Sequence, residues 1–143
     1  MLSQLLIIVF ALSPLPGIFL GGVWLAFTPL LAFILFPLLD LFLQRAGPPT
    51  NTPSTALLSF YLPYHAALIL LGALVARRLD GTDPMLWEIA LSVGIVTGGT
   101  GITFAHEWIH RLRPRQKLLG EWLLVWVCYG HYATEHVYGH HKH

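Results

Sequence analysis

LWEIALSVGIVTGGTGITFAHEWIH, residues Leu86–His110, decides how this chain is read. Its first 20 residues, Leu86–Ala105, are almost all apolar, and as a helix they are long enough to cross the hydrocarbon core of a bilayer. The run ends in His106-Glu107-Trp108-Ile109-His110. A spacing of four puts both imidazoles on one helix face, close enough to share a metal. Leaving two imidazoles at an apolar boundary without partners is costly, and a metal is a natural partner. H-E-x-x-H is also the zinc-protease motif, with the Glu as general base, and it arises by chance in helices. The run contains Gly94, Gly98, Gly99 and Gly101. A phosphate loop is excluded because no lysine follows in the required place and no strand precedes. The small-xxx-small spacing of Gly94 and Gly98 predicts close helix packing there.

The whole chain shares this apolar character. Of its 143 residues 55% are hydrophobic and only 10% charged, against about 25% charged in soluble domains. Mean hydropathy is +0.65. A chain this small and apolar cannot hide its hydrophobic surface from water, so lipid must cover it. The net charge of +1 supplies no field to attract nucleic acid, which is not expected as a partner. The single cysteine, Cys128, forms neither an internal disulfide nor a cysteine-pair zinc motif.

Upstream, Leu2–Leu12 is apolar and too short to span. Ser13-Pro14-Leu15-Pro16-Gly17 should break it, leaving a short first helix of a hairpin. No basic stretch precedes it and no small-x-small site follows, which argues against a secretory leader. Ile18–Phe42 reads as a second span, kinked by Pro29 and Pro37. A polar, proline-rich loop follows over residues 44–54, Ala56–Ala76 forms a third span, and Arg77–Asp83 is a tight turn. Pro84 suits the start of the fourth helix. Arg111, Arg113, Arg115 and Lys117 then mark the cytoplasmic side. With Arg45 the bias is five cations against Arg77 and Arg78 on the other face. Leu118–Tyr129 is too short to span upright and is expected to be interfacial. Trp24, Trp87, Trp108, Trp122 and Trp126 lie mostly near span ends, as an aromatic belt. The expected class is therefore an all-α integral membrane protein. It has about four hydrophobic segments, with residues 1–105 forming hairpins and residues 106–143 a histidine-rich region of one membrane domain.

Seven of the eight histidines fall in that last region: His106, His110, His131, His136, His140, His141 and His143. Glu135-His136-Val137-Tyr138-Gly139-His140-His141 repeats the four-residue spacing and adds a neighbouring imidazole. Alone it could be a solvated polar tail. Five well-spaced imidazoles in two groups exceed what one zinc needs. The surplus argues for two metals, and nitrogen-rich ligation with open positions suits iron or another transition metal in oxygen chemistry.

Two stretches carry a resemblance to the membrane alkane 1-monooxygenases, within the fatty acid desaturase-like superfamily. They are Phe104–Arg111 (FAHEWIHR) and Tyr129–His141 (YGHYATEHVYGHH). Weaker likeness lies in Pro37-Leu38-Leu39-Asp40 with the Asn51-Thr52-Pro53 loop, and in Leu62–Ala67 (LPYHAA). The resemblance implies that His106, His110, His136, His140 and His141 ligate iron in a non-haem di-iron site on the cytoplasmic side of the plasma membrane. It further implies insertion of one atom of O₂ into a terminal carbon–hydrogen bond of an alkane or alkyl chain. Electrons would come from a rubredoxin or ferredoxin. Proteins of this kind are more than twice as long and add a later H-x-x-H-H box, so the chain is expected to be an N-terminal fragment without a complete reactive site.

His131 lies five residues before His136, off the ligand face, and is expected to support a ligand or make a core hydrogen bond. Glu107 and Glu135 adjoin ligand histidines and suit holding a ligand's other ring nitrogen. Tyr64 and His65, within the third span, are expected to make helix–helix hydrogen bonds. A desaturase or other lipid hydroxylase would use the same centre, and an integral membrane zinc protease would use His106, Glu107 and His110.

Overall fold

The computed structural model describes residues 2–43, 55–110 and 113–139. His140, His141, His143, Arg45, Arg111 and the Asn51-Thr52-Pro53 loop lie outside the described residues. Every described element is helical: α1 (Leu2–Leu12), α2 (Pro14–Leu20), α3 (Phe27–Leu30), α4 (Phe36–Leu43), α5 (Thr55–Ala76), α6 (Pro84–Ile109), α7 (Pro114–Trp126) and α8 (Tyr132–Tyr138). Three helices are long and apolar enough to cross a membrane, Gly22–Phe42, Ser59–Ala76 and Pro84–Ile109, and Gln4–Leu20 is a shorter apolar helix. The chain is an all-α membrane protein.

The first break falls later than Ser13–Gly17. Only Ser13 interrupts the helix, which runs on to Leu20. Pro14 occupies the first position of α2, where a missing N–H costs nothing, so prolines that looked like breakers start a helix instead. The Ser13 hydroxyl bonds Phe10 O at 2.8 Å and Thr28 Oγ1 at 3.0 Å, tying the joint to the next span. The reversal comes at Gly21 and Gly22, with φ of 63° and 55°, a region that glycine enters without penalty. The second span therefore begins at Gly22, not Ile18. It contains a 3₁₀ stretch (Gly22–Ala26) and a wide π-type stretch (Leu31–Leu35) just before Pro37. Pro37 cannot donate into a regular ladder and its ring would crowd the preceding turn, so the helix widens there.

Asp83 caps α6, its side chain accepting from Met85 N at 2.9 Å, with Pro84 in the first turn. Outward faces are frankly apolar: Val23, Phe42, Phe60 and Trp87 each leave more than two thirds of their surface exposed, an arrangement that suits lipid.

Close packing involves other glycines than the ones expected. At Gly94 and Gly98 a Cβ would meet nothing within 4 Å. Both line an open groove with Gly72, Ala73 and Trp126. The tight approaches are at Gly101, where a Cβ would stand 2.6 Å from His65 Cε1, and at Gly120, where it would stand 2.9 Å from Ala105 O. Spacing identifies small residues but not which helix face meets a neighbour. Gly120 lets α7 lie directly against the end of α6, so Leu123 and Leu124 are fully buried while Trp122 and Trp126 stay exposed. Trp108 departs from the aromatic belt: it is 1% exposed and sits in a core cluster with Tyr61, Phe104, Ile109, Leu123, Leu124 and Ala133.

Candidate metal centre

α6 carries the site's first half. Phe104, Ala105, Trp108 and Ile109 are buried, which fixes the opposite face and turns His106 and His110 outward together. His110 is the C-cap of the helix. Unpaired carbonyls at a helix C-terminus favour positive charge, so the helix end itself suits a cation.

The second half arrives through a reversal at the end of α7. Cys128 has φ 57°. Cys128 N donates to Val125 O at 3.0 Å and Tyr129 N to Leu124 O at 2.8 Å. That bonding pair is a Schellman termination, with cysteine in the left-handed position where glycine is usual. The chain turns back and starts α8, whose Ala133 packs into the core beside Trp108 and Leu124.

As a result three ring nitrogens meet. His106 Nε2 lies 2.8 Å from His136 Nε2 and 3.2 Å from His110 Nε2, and His110 Nε2 lies 3.0 Å from His136 Nε2. Their rings are mutually edge-on, with centroids 4.6–5.1 Å apart. The arrangement has a simple consequence. Each nitrogen presents either a proton or a lone pair, so among three at least two are alike and repel. A single cation at the common point accepts all three lone pairs and removes the conflict. Nitrogens 2.8–3.2 Å apart can all reach one ion with metal–nitrogen bonds of roughly 2.1 Å. The donor set therefore fits one metal ion.

His140 and His141, the remaining expected ligands, lie outside the described residues. Glu107 is half-buried on α6, and Glu135 is exposed on α8, its carbonyl accepting from Gly139 N at 2.9 Å. His131 is exposed at the start of α8 with its ring edge-on to Tyr129, centroids 4.7 Å apart. The Tyr64 hydroxyl donates to Ala11 O, a helix–helix hydrogen bond as expected. His65 is fully buried. Its Nδ1 lies 3.5 Å from the hydroxyl of Tyr61, one turn back on the same helix, and its Nε2 has no hydrogen-bond partner, so the expected helix–helix bond is made by Tyr61 to Thr100 and not by His65. Trp108 Nε1 is likewise buried without a partner. Sequence reasoning missed Cys128 and Tyr132. The one signal for Tyr132 was its position four residues before His136, one helical turn away.

An all-α membrane protein with a histidine cluster on the end of a spanning helix is the class that fold and site define. No protein-family model matches the chain. It is 35% identical over 134 residues to alkane 1-monooxygenase 2 of Pseudomonas aeruginosa, covering 84% of this chain and 34% of that protein. It is 38% identical over 120 residues to alkane 1-monooxygenase 1 of the same species, covering 75% of this chain and 31% of that protein. Over 146 residues it is 31% identical to the alkane 1-monooxygenase of Acinetobacter baylyi, covering 93% of this chain and 34% of that protein. These likenesses make the chain an alkane 1-monooxygenase-like protein. It spans about a third of the length of those relatives.

Proposed function

We propose that this chain is the part of a non-haem di-iron membrane monooxygenase that carries its first histidine ligands, and that the whole enzyme hydroxylates the terminal carbon of alkanes or alkyl chains with O₂. The observation that carries the reading is the meeting of the His106, His110 and His136 ring nitrogens within 3.2 Å of one another. Those three would hold one ion, with His140 and His141 contributing to the pair of irons. When bound, iron supplies O₂ activation and one-electron chemistry that no side chain can provide.

Five histidines in two groups favour a pair of iron ions over the single zinc of a protease. His110 is exposed in this chain, so excluding water to protect the oxidant from quenching would fall to the whole enzyme. A cavity of about 140 Å³, lined by Ile7, Ala11, Leu12, Tyr61, Tyr64 and Phe104, offers an alkyl chain a place beside the last turns of α6. Arg113 and Arg115, exposed where α7 begins, support a cytoplasmic site in the plasma membrane. There a rubredoxin or ferredoxin would deliver electrons.

The test is turnover. Membranes holding the whole enzyme of which this chain is a part, supplied with iron, an electron donor and O₂, should convert an n-alkane to its 1-alcohol, with the oxygen traced to ¹⁸O₂, and lose that conversion in His106→Ala. Conversion of fatty acyl lipids to alkenes instead would move the assignment to a desaturase. Peptide cleavage, lost in Glu107→Gln with metal retained, would replace it with a zinc protease.

A further inference from the structure

The two halves of the histidine triad are held by unequal means. His106 stands on a 26-residue helix with buried residues from Ile89 to Ile109, and His110 caps its end. His136 stands on α8, which has seven residues and is too short to be stable on its own. Among its described side chains, Ala133 is the buried hydrophobic one.

What faces the His136 ring is an aromatic column. The Tyr132 ring lies flat on the imidazole, with centroids 4.9 Å apart and planes 18° from parallel. The Tyr129 ring stacks on Tyr132 at 5.2 Å and 22°. Tyr132 also borders His106, at 6.5 Å. The column is rooted in the core, because the Tyr129 amide closes the reversal on the carbonyl of fully buried Leu124. A chain of contacts thus runs from Leu124 through Tyr129 and Tyr132 to His136.

We propose that Tyr132 is a positioning residue for the metal site: its ring sets the plane of the His136 imidazole so that Nε2 faces those of His106 and His110, with Tyr129 as the backstop. The contact is face to face, so the aromatic plane does the work and the hydroxyl is dispensable. Supporting groups around a ligand histidine typically change metal affinity by about 10–100-fold when removed. The inference rests on reading the triad as a metal site.

The experiment is a cobalt(II) titration of the full chain in detergent micelles, followed by visible absorption. Wild type and Tyr132→Phe should bind with equal affinity and give the same ligand-field spectrum. Tyr132→Leu should bind about 10–100-fold more weakly, with a spectrum altered toward fewer imidazoles and unchanged helical content by circular dichroism. If the leucine variant loses helix, Tyr132→Met takes its place in the comparison. Equal affinity and spectrum in the aliphatic variant overturn the inference, as does a phenylalanine variant as weak as the leucine one. A wild-type chain that binds no cobalt overturns the metal reading itself, and is told apart because every variant then gives the same blank titration.

Discussion

His106 and His136 have ring nitrogens 2.8 Å apart, yet they reach that point by opposite routes. His106 inherits its position from a membrane-spanning helix whose inner face, including Phe104, Ala105, Trp108 and Ile109, is buried. His136 is placed by local devices, among them a left-handed Cys128, a stacked tyrosine and the small buried Ala133. The difference teaches that one half of the site is as stable as the fold, while the other can be lost with the fold intact. Damage to α6 should remove metal binding and structure together. Damage to the α7–α8 reversal should remove metal binding first.

The largest effect tests the first half. Trp108→Ala empties a core position beside two proposed ligands and should cost about 3–5 kcal/mol, read by denaturation in micelles, with metal binding falling in parallel. Trp108→Phe should lose far less, because it also removes the Nε1 donor that is buried without a partner. Next, Gly120→Val would push a side chain against Ala105 O, where even a Cβ has only 2.9 Å. Forcing α7 from α6 should cost about 1–3 kcal/mol and detach α8 from the site.

Cys128→Gly sharpens the comparison in the other direction. The left-handed region costs an L-residue roughly 1–2 kcal/mol, offset in part by the freedom glycine gains when unfolded, so a net gain of about 0.5–1 kcal/mol is expected. Cys128→Val should instead weaken cobalt binding while α6 keeps its helix, read by titration beside circular dichroism. The smallest effect is at Gly98, where a Cβ meets nothing within 4 Å. Gly98→Ala in this chain should leave stability unchanged or raise it by at most about 1 kcal/mol.

These contrasts also show what could be read without coordinates. The spans were legible because hydropathy needs only length: 84–109 and 55–76 fall within a few residues of the expected limits. Pro14 misled because proline both breaks a helix from inside and begins one, and sequence alone does not tell which turn it occupies. Gly94 and Gly98 misled because a small-residue spacing is satisfied on several faces at once: α6 meets α5 closely at Gly101, and its contact with α7 is made by Gly120 of α7. The His106–His110 pair was legible as one helical turn. The approach of His136 was not derivable from spacing, since it depends on a reversal at a cysteine, where no glycine announces the left-handed turn.

The central claim is that His106, His110 and His136 grip one ion together. X-ray absorption at the iron edge of the iron-loaded chain measures this most directly, because imidazole rings give a distinctive multiple-scattering pattern. The expected spectrum has at least three histidine nitrogens at roughly 2.1 Å, with one imidazole fewer in His136→Ala. A first shell of oxygens alone, or an imidazole signal unchanged when all three histidines are replaced by alanine, would contradict it.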